Sequence, residues 1–243
     1  MRSIFVGIEY AGKTTLIDLL SEYYQRRKLY THWDDHFTIP DSSLSPESQA
    51  SMINFPDDVK ERFQRMQIQY HIEVIKNHPN TLISGWHIED AVYSSMYGSD
   101  PENPYYTGYL HHHQRFYEAQ VLAHDLPDVV LIHVTASDDT IRERMRARPH
   151  KYQIIKEDHI SEIRQRFEDE IADSIFTIRR RKVLLDTTGK TPQDSFDELL
   201  LLTEPLITPG ELAARALPIP DGDYDVIYEN GVRKMIPKAG ECF

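Results

Sequence analysis

Cysteine is almost absent from this chain of 243 residues, and its one copy, Cys242, stands next to the last residue. A single cysteine excludes an internal disulfide and a metal site built from several thiolates, which fits a reducing compartment. No apolar run approaches the roughly 20 residues of a membrane-spanning helix. The N-terminal apolar run, residues 4–6, is too short for the core of a signal peptide. We therefore expect a cytoplasmic protein with no membrane contact.

Positive charge is also scarce, because 27 Lys and Arg stand against 39 Asp and Glu and the formal net charge is -12. A protein that binds nucleic acid in general needs clustered cations to neutralise phosphates, so this composition argues against such a role. A small anionic substrate, held by a local group of basic residues, remains compatible with it.

One motif stands out against these absences. Residues 7–14, GIEYAGKT, satisfy the phosphate-loop pattern G-x-x-x-x-G-K-[ST], with an apolar strand-like run before them and helical spacing after them. In such a loop, backbone N–H groups and a helix N-terminus surround a polyphosphate, the lysine reaches the β- and γ-phosphates, and Thr14 offers a hydroxyl to Mg²⁺. The residues expected to bind the nucleotide are Gly7, Ala11, Gly12, Lys13, Thr14 and Thr15.

Strand-like and helical segments alternate along residues 1–203. The predicted strands are residues 4–6, 29–33, 81–84, 129–134 and 182–186. The predicted helices are residues 16–24, 58–77, 110–123, 138–148, 157–181 and 192–203. Residues 40–57 are predicted as a loop, and residues 93–109 as a loop with short helical turns. The alternation predicts an α/β fold with a doubly wound parallel five-stranded sheet and the nucleotide at the carboxyl ends of its strands.

In helix 58–77 the apolar face is predicted to consist of Phe63, Met66, Ile68, Ile72 and Ile75.

The last forty residues differ from the rest. Residues 204–220 contain several prolines. Residues 224–229 and 232–236 read as strands on either side of Asn230-Gly231, a pair that favours a type I′ turn. We predict a linker and β-hairpin tail over residues 204–243. Covering a sheet edge and mediating self-association are both open as its role.

Three classes of phosphate-loop protein compete. A GTPase would carry an Asn-Lys-x-Asp element, which is missing. The segment Asp186-Thr187-Thr188-Gly189 matches the D-x-x-G pattern of GTPases, but it begins at the end of the last predicted strand, later in the chain than a GTPase would place it. A motor-type or regulatory ATPase would end a buried strand near the loop with an acid, and residues 129–134 contain none. A phosphotransferase acting on a small acceptor is favoured.

Three segments carry a family resemblance. The phosphate loop resembles that of thymidylate kinases, in which an acidic residue occupies the place of Glu9. Residues 141–148, IRERMRAR, resemble the lid of thymidylate and deoxynucleoside kinases, with Arg144 and Arg148 in its arginine pattern. Met66-Gln67 resembles the Phe-Gln of deoxynucleoside kinases, whose glutamine binds the base. The resemblance covers about residues 1–203. It implies a P-loop kinase domain with a lid near residues 141–157, ATP and Mg²⁺ as cofactors, a nucleoside or nucleotide acceptor, and compatibility with a homodimer.

The resemblance also implies residue roles. Arg144 and Arg148 would close over the transferred group, although a solvated basic helix face gives the same pattern. Asp34 and Asp35 fall where deoxynucleoside kinases carry a catalytic carboxylate. Asp35 is preferred because it is nearer the loop. One of the pair could instead cap a turn. Glu9 and Gln67 would help place the acceptor.

The chain departs from both families after its third strand, where they place an acidic-Arg pair and this chain reads SGWHIED over residues 84–90. Glu89 or Asp90 could supply the acid. Trp86 is predicted either to stack on the acceptor or to pack in the core. Arg115 is a candidate contact for an acceptor phosphate. Because the phosphate-holding arginine is missing, a hydroxyl acceptor is favoured.

Two alternatives stay open. One is a kinase of the same fold that acts on a modified base in a polynucleotide or on another small metabolite. The other is a catalytically inactive nucleotide-sensing regulator, which the altered segment 84–90 suggests.

Overall fold

Five strands form a single parallel sheet. The computed structural model describes residues 1–27, 29–35, 40, 44–98, 100, 102–107, 114–122, 126, 128–217, 224–229 and 232–237. The strands of the sheet are β1 (Arg2–Val6), β2 (His32–Asp35), β3 (Thr81–Ser84), β4 (Val129–Thr135) and β5 (Lys182–Asp186). Their order is β2-β3-β1-β4-β5, and every neighbouring pair is parallel. The predicted sheet is confirmed.

Helices connect the strands. They are α1 (Lys13–Gln25), α2 (Pro46–Ile53), α3 (Asp57–Asn77), α4 (His87–Tyr97), α5 (Gln114–Leu122), α6 (Asp138–Ala147), α7 (Ile160–Ala172), α8 (Ile175–Ile178), α9 (Pro192–Thr203) and α10 (Pro209–Arg215). The chain crosses the sheet in one direction from β1 to β2 and in the opposite direction from β2 to β5. Because connections between parallel strands are right-handed, α1 lies on one face of the sheet and α3 to α7 lie on the other. Contacts agree with this, since α1 packs on α9 while α4 packs on α5 and α7. The sheet is doubly wound, as predicted.

The core lies on both faces of the central strands. All seven residues of β4 are buried, which is what its continuous apolar run predicts for a strand covered on both faces. In β1, Ile4, Phe5 and Val6 are fully buried between β3 and β4. These two rigid strands fix the position of the segment that follows Val6.

Both predicted loops contain helix. In residues 40–57, α2 begins at Pro46 and is capped by Ser45, whose hydroxyl accepts the N–H of Ser48. A serine followed by proline is a helix-start signal, and it lies within this segment. In residues 93–109, α4 extends to Tyr97 because Tyr93 and Tyr97 continue the apolar face that Ile88 begins.

The predicted apolar face of helix α3 is partly wrong. Phe63 and Met66 are 40% and 60% exposed, while Ile68, Ile72 and Ile75 are buried as expected. The inner face instead includes the buried polar residues Gln64 and His71. The face therefore follows the packing of α3 on β3 and α5 rather than apolar character alone.

Two further boundaries differ. The second strand begins at His32 rather than residue 29, because its pairing partner β3 starts opposite that residue. The single helix predicted over residues 157–181 is a 3-10 turn followed by α7 and α8, and Ser174 breaks it by capping α8.

The C-terminal region contains a helix that the linker prediction missed. Helix α10 packs against the start of the chain, where Glu211 lies 3.1 Å from the amino group of Met1 and accepts a hydrogen bond from the Tyr24 hydroxyl at 2.6 Å. Beyond it, β6 (Tyr224–Glu229) and β7 (Val232–Pro237) pair antiparallel, as the hairpin prediction requires. The predicted turn, Asn230-Gly231, lies outside the described residues. The domain boundary at residue 203 stays a prediction.

Within the described ranges, none of the helices combines the length and the apolar character needed to cross a bilayer.

Candidate active site

The phosphate loop leaves β1 through a contact that only glycine allows. Gly7 has a φ of 146°, and a Cβ atom placed on it would lie 2.0 Å from the carbonyl oxygen of Val134 in β4. At the other end of the loop, Gly12 caps α1 with a φ of 102°. The two glycines of the motif therefore let the chain turn tightly against β4 and enter α1 directly.

The start of α1 has the donors that a phosphate needs. The N–H groups of Lys13, Thr14 and Thr15 belong to the first turn, which has no intrahelical acceptors, and they donate to no other described residue. Both threonines are exposed at the surface of the cleft. These donors, the N-terminal end of the helix dipole and the accessible Thr14 hydroxyl fit a polyphosphate with its Mg²⁺.

A buried carboxylate supports the loop from α4. Glu89 is 1% exposed, and its Oε1 lies 2.9 Å from Lys13 Nζ and accepts the N–H of Gly7 at 3.1 Å. Lys13 Nζ also donates to the carbonyl oxygen of Gly7. An acid in the first turn of α4 thus contacts both ends of the phosphate loop. Of the two sequence candidates, Glu89 reaches the phosphate loop and Asp90 does not line the cleft.

Trp86 packs in the core, not in the cleft. Its side chain is fully buried against His87 and Phe176. Its backbone has a φ of 77°, rare for a large side chain, and its carbonyl oxygen accepts the N–H of Glu89 at 3.1 Å. The stacking hypothesis for Trp86 is therefore not supported by its position, whereas the core-packing alternative is. This buried tryptophan sets the start of the helix that carries Glu89.

One cleft of about 960 Å³ runs from the phosphate loop along the carboxyl ends of the strands. Its walls come from β2, α4, the segment after α6 and the loop after β5. The lining residues that matter for the argument below are Lys13, Asp35, Glu89, Tyr93, Arg144 and Arg148.

Of the predicted acidic pair, Asp35 lines the cleft and Asp34 does not. Asp34 turns back toward the protein, where its Oδ1 accepts the N–H of Asp35 at 2.9 Å and its Oδ2 lies 3.6 Å from His71 Nε2. Gln67 lies behind the pair, because its Nε2 donates to the backbone oxygen of Asp35 at 2.7 Å. The structure therefore places Gln67 outside the lining of the cleft, in contact with a residue that forms it.

The two arginines of the predicted lid differ in what they contact. Arg144 Nη1 donates to the backbone oxygens of Tyr10 and Ala11 at 3.0 and 3.2 Å, and its Nη2 donates to that of Thr187 at 3.1 Å. It thus joins α6, the phosphate loop and the loop after β5. Arg148 ends α6 as an exposed residue lining the cleft.

Glu9 points at the segment that follows α6, within the predicted lid. Its Oε2 accepts the N–H groups of Ile154 and Ile155, each at 3.3 Å, and its Oε1 lies 3.1 Å from His150 Nδ1. Tyr10 stacks on the same histidine with ring centroids 4.2 Å apart. Glu9 and Tyr10 therefore contact residues 150–155, through contacts that the sequence did not indicate.

Arg115 lies away from the cleft and joins helices. Its Nη1 donates to Glu118 at 2.7 Å and its Nη2 to Glu170 at 2.9 Å, which ties α5 to α7. Glu118 is fully buried beside His87. Burial raises the pKa of Glu118, but His87 and Arg115 outweigh that effect and hold the pKa below its ordinary value. The prediction that Arg115 contacts an acceptor phosphate does not match this position.

Comparison with known proteins identifies the fold. No family model matches the chain, and no curated protein matches it. Among solved structures, thymidylate kinase from Candida albicans matches with a TM-score of 0.56 and 16% identity over 84% of this chain and 90% of that one. Deoxyadenosine kinase from M. mycoides with bound dATP matches with a TM-score of 0.52 and 16% identity over 83% of this chain and 98% of that one. The chain has a thymidylate/deoxynucleoside kinase-like P-loop fold.

A third structure of this kinase-like fold is the YorR protein of Bacillus subtilis in complex with phosphorylated GDP, with a TM-score of 0.50 and 16% identity over 84% of this chain and 96% of that one. At these identities the similarity establishes the fold of the chain and nothing finer.

Sequence reasoning missed several residues of the site in this kinase-like fold. Thr187 joins it because its hydroxyl donates to the backbone oxygen of Ala11 at 2.8 Å, although the segment that contains it was set aside with the GTPase reading. Tyr93 lines the cleft, and its hydroxyl accepts the N–H of Glu9 at 3.0 Å. Thr187 could have been predicted from its position directly after β5, since loops at the carboxyl ends of parallel strands surround the ligand. The position of Tyr93 depends on where α4 starts, which no local pattern specified.

Proposed function

We propose that the protein is an ATP-dependent kinase that transfers the γ-phosphoryl group to a nucleoside or a nucleoside monophosphate. One observation carries the proposal: a single cleft joins a phosphate cradle, a carboxylate at the end of β2 and an arginine of the lid. Phosphoryl transfer depends on positioning and charge stabilisation, and this arrangement supplies both. The kinase-like fold is consistent with it.

At the donor end of the cleft, which we define as residues 7–15 with Glu89 and Thr187, the chain binds the polyphosphate. The N–H groups that begin α1 and the ammonium group of Lys13 hold the β- and γ-phosphates. Thr14 is the residue that would hold Mg²⁺, which when bound neutralises charge on the phosphate oxygens. Glu89 keeps Lys13 against the loop, since the two groups are 2.9 Å apart.

At the acceptor end, which we define as Asp35, Tyr93 and Arg148, the chain prepares the nucleophile. Asp35 accepts the proton of an acceptor hydroxyl as its oxygen bonds to the γ-phosphorus and the bond to the bridging oxygen breaks. Arg148 balances the charge that spreads over the transferred group. Arg144 acts through the phosphate loop, because its donors are engaged with backbone oxygens.

Charge at the acceptor end favours a hydroxyl on an acceptor without its own phosphate. Four other Lys and Arg residues that line the cleft each contact a partner within the chain: Lys13 with Glu89 at the donor end, Arg144 with backbone oxygens, Lys151 with Gln49, and Lys190 with Glu198. No arginine occupies the start of α4, where the related families place one, and Trp86 stands there instead. We therefore expect a nucleoside to be a better acceptor than its monophosphate.

The experiment is a screen of ATP consumption with Mg²⁺ against the common nucleosides and nucleoside monophosphates, with Lys13→Ala as the blank. Stimulation by one nucleoside and release of its monophosphate would support the proposal in full. Stimulation by a monophosphate alone would keep the kinase and overturn the preference for a neutral acceptor. If ATP binds and every acceptor fails, the proposed function is wrong for free nucleotides.

A further inference from the structure

The third residue of the phosphate loop contacts the lid with its entire carboxylate. Glu9 accepts two backbone N–H groups on Oε2, from Ile154 and Ile155, and faces His150 Nδ1 with Oε1. Its side chain is only 10% exposed although the residue lines the cleft. Both oxygens are thus directed at the chain rather than at the space where an acceptor would bind.

The neighbouring residue reinforces the same junction. Tyr10 has a φ of 65°, stacks on the His150 ring, and accepts the His150 backbone N–H on its hydroxyl at 3.0 Å. The segment held this way runs directly on from Arg148, and its later residues Ile154 and Ile155 are buried in the core. The phosphate loop therefore holds the lid by side chains at two consecutive positions.

We propose that Glu9 is a positioning residue that latches the lid segment, residues 148–155, onto the phosphate loop. The proposal rests on the proposed function for its catalytic consequence only. Hydrogen bonds to a charged acceptor are stronger than neutral ones, so the two backbone N–H groups, together with the His150 ring that faces the other oxygen, make this carboxylate an effective clamp. The latch fixes the segment that begins at Arg148 beside the cleft and keeps water away from the phosphate cradle. It assigns Glu9 to the lid instead of to the acceptor.

The first test does not depend on catalysis. Hydrogen exchange is measured in wild type, Glu9→Ala and Glu9→Gln, with Glu162→Gln as the matched control, because Glu162 pairs with Arg166 on the surface of α7. We expect Glu9→Ala to speed exchange at Ile154 and Ile155 by about tenfold or more while β4 is unchanged. Glu9→Gln should give a smaller rise, since its carbonyl can still accept the two N–H groups. Equal exchange at Ile154 and Ile155 in Glu9→Ala and wild type would overturn the latch.

A second variant covers the case in which Glu9→Ala does not fold. His150→Ala removes the stacked ring and the contact to Glu9 Oε1 from the lid side, and it leaves the phosphate loop intact. The latch predicts faster exchange at residues 150–155, again with β4 unchanged. Exchange that rises in β4 as well would indicate general destabilisation and would contradict a local latch.

The kinetic test separates the latch from acceptor binding. With an accepted nucleoside, a latch variant should lower kcat and raise the ratio of ATP hydrolysis to phosphoryl transfer, because water reaches the phosphates when the lid opens. The KM for the nucleoside should stay within about twofold of wild type, since uniform binding is not affected. A raised KM with an unchanged hydrolysis ratio would instead make Glu9 an acceptor contact. If the acceptor screen fails altogether, the exchange experiment still decides the latch.

Discussion

The donor end of the cleft is built largely from one continuous stretch of chain, residues 7–15, whereas the acceptor end takes one residue each from β2, α4 and the end of α6. At the donor end the proposed binding groups are mostly backbone N–H groups, and the shape of this end depends on two glycines and a helix start. At the acceptor end each functional group is a side chain held by tertiary contacts. Substitution of either glycine at the donor end should therefore affect the fold, whereas substitution of the exposed Asp35 or Arg148 at the acceptor end should affect catalysis alone.

The largest expected effect breaks the donor end. Gly7→Ala would place a Cβ atom 2.0 Å from the Val134 carbonyl oxygen, and neither rigid strand can give way. We expect a loss of more than about 4 kcal/mol of unfolding free energy, measured by denaturant titration, or failure to fold.

Gly12→Ala is the matched control for this prediction. Its φ is also positive, but the nearest atom to an added Cβ is the flexible Arg144 side chain at 3.8 Å. Only backbone strain remains, for which we expect a loss of about 1–2 kcal/mol. Equal losses in the two variants would show that backbone conformation rather than the contact with β4 governs the donor end.

The next effect is at the acceptor end and on catalysis. Asp35→Asn should lower kcat by about 10²–10⁴-fold with an unchanged melting temperature, because the exposed carboxylate that accepts the proton is lost. Asp34→Asn is the control one residue away, directed toward His71 and outside the cleft. We expect it to keep turnover within a few-fold. If both variants stay within a few-fold of wild type, the assignment of the base is wrong.

The same difference explains what could be predicted from the sequence. The strand, the glycines, Lys13 and Thr14 are contiguous, so local spacing was enough to predict the phosphate-loop motif of residues 7–14 and, with the alternation of strands and helices, the parallel sheet. The alternation of strands and helices was enough to predict the fold from β1 to α9. It gave no information on how α4 begins.

The contacts that join distant parts of the chain were harder to predict. Glu89 reaches Gly7 and Lys13 only because the backbone at Trp86 adopts a positive φ, and no local propensity predicts that conformation for tryptophan. Arg115 has the charge expected of a phosphate contact, but two acids from α5 and α7 bind it. A pattern of residue types cannot distinguish a cation facing a ligand from one facing a buried acid.

A third prediction concerns stability at the donor end and its dependence on pH. His133 in β4 pairs with Val6 beside the phosphate loop, and burial, together with the charges of Lys182 and Lys13, lowers its pKa to about 4. An unfolded histidine titrates near pH 6.5, so between these values the unfolded chain binds a proton that the folded chain does not. The contribution is fully present above about pH 6.5 and is lost as the pH falls toward 4.

We expect protonation of His133 in the unfolded chain to lower the unfolding free energy by about 3 kcal/mol between pH 7 and pH 4. His133→Gln should flatten that part of the pH profile. The measurement is denaturant unfolding at half-unit steps of pH. A profile as steep in His133→Gln as in wild type would place the acid sensitivity elsewhere.

The smallest expected effect concerns the support of the acceptor end. Gln67 donates to the backbone oxygen of Asp35, so Gln67→Ala removes one hydrogen bond that orients the strand end. A net hydrogen bond contributes about 1 kcal/mol, which corresponds to roughly a fivefold lower kcat with little change in the acceptor KM. Gln69→Ala, which loses only an exposed contact with Gln120, is the control. If Gln67 binds the acceptor base instead, its loss raises the KM and alters the preference among nucleosides, and the acceptor end then extends to α3.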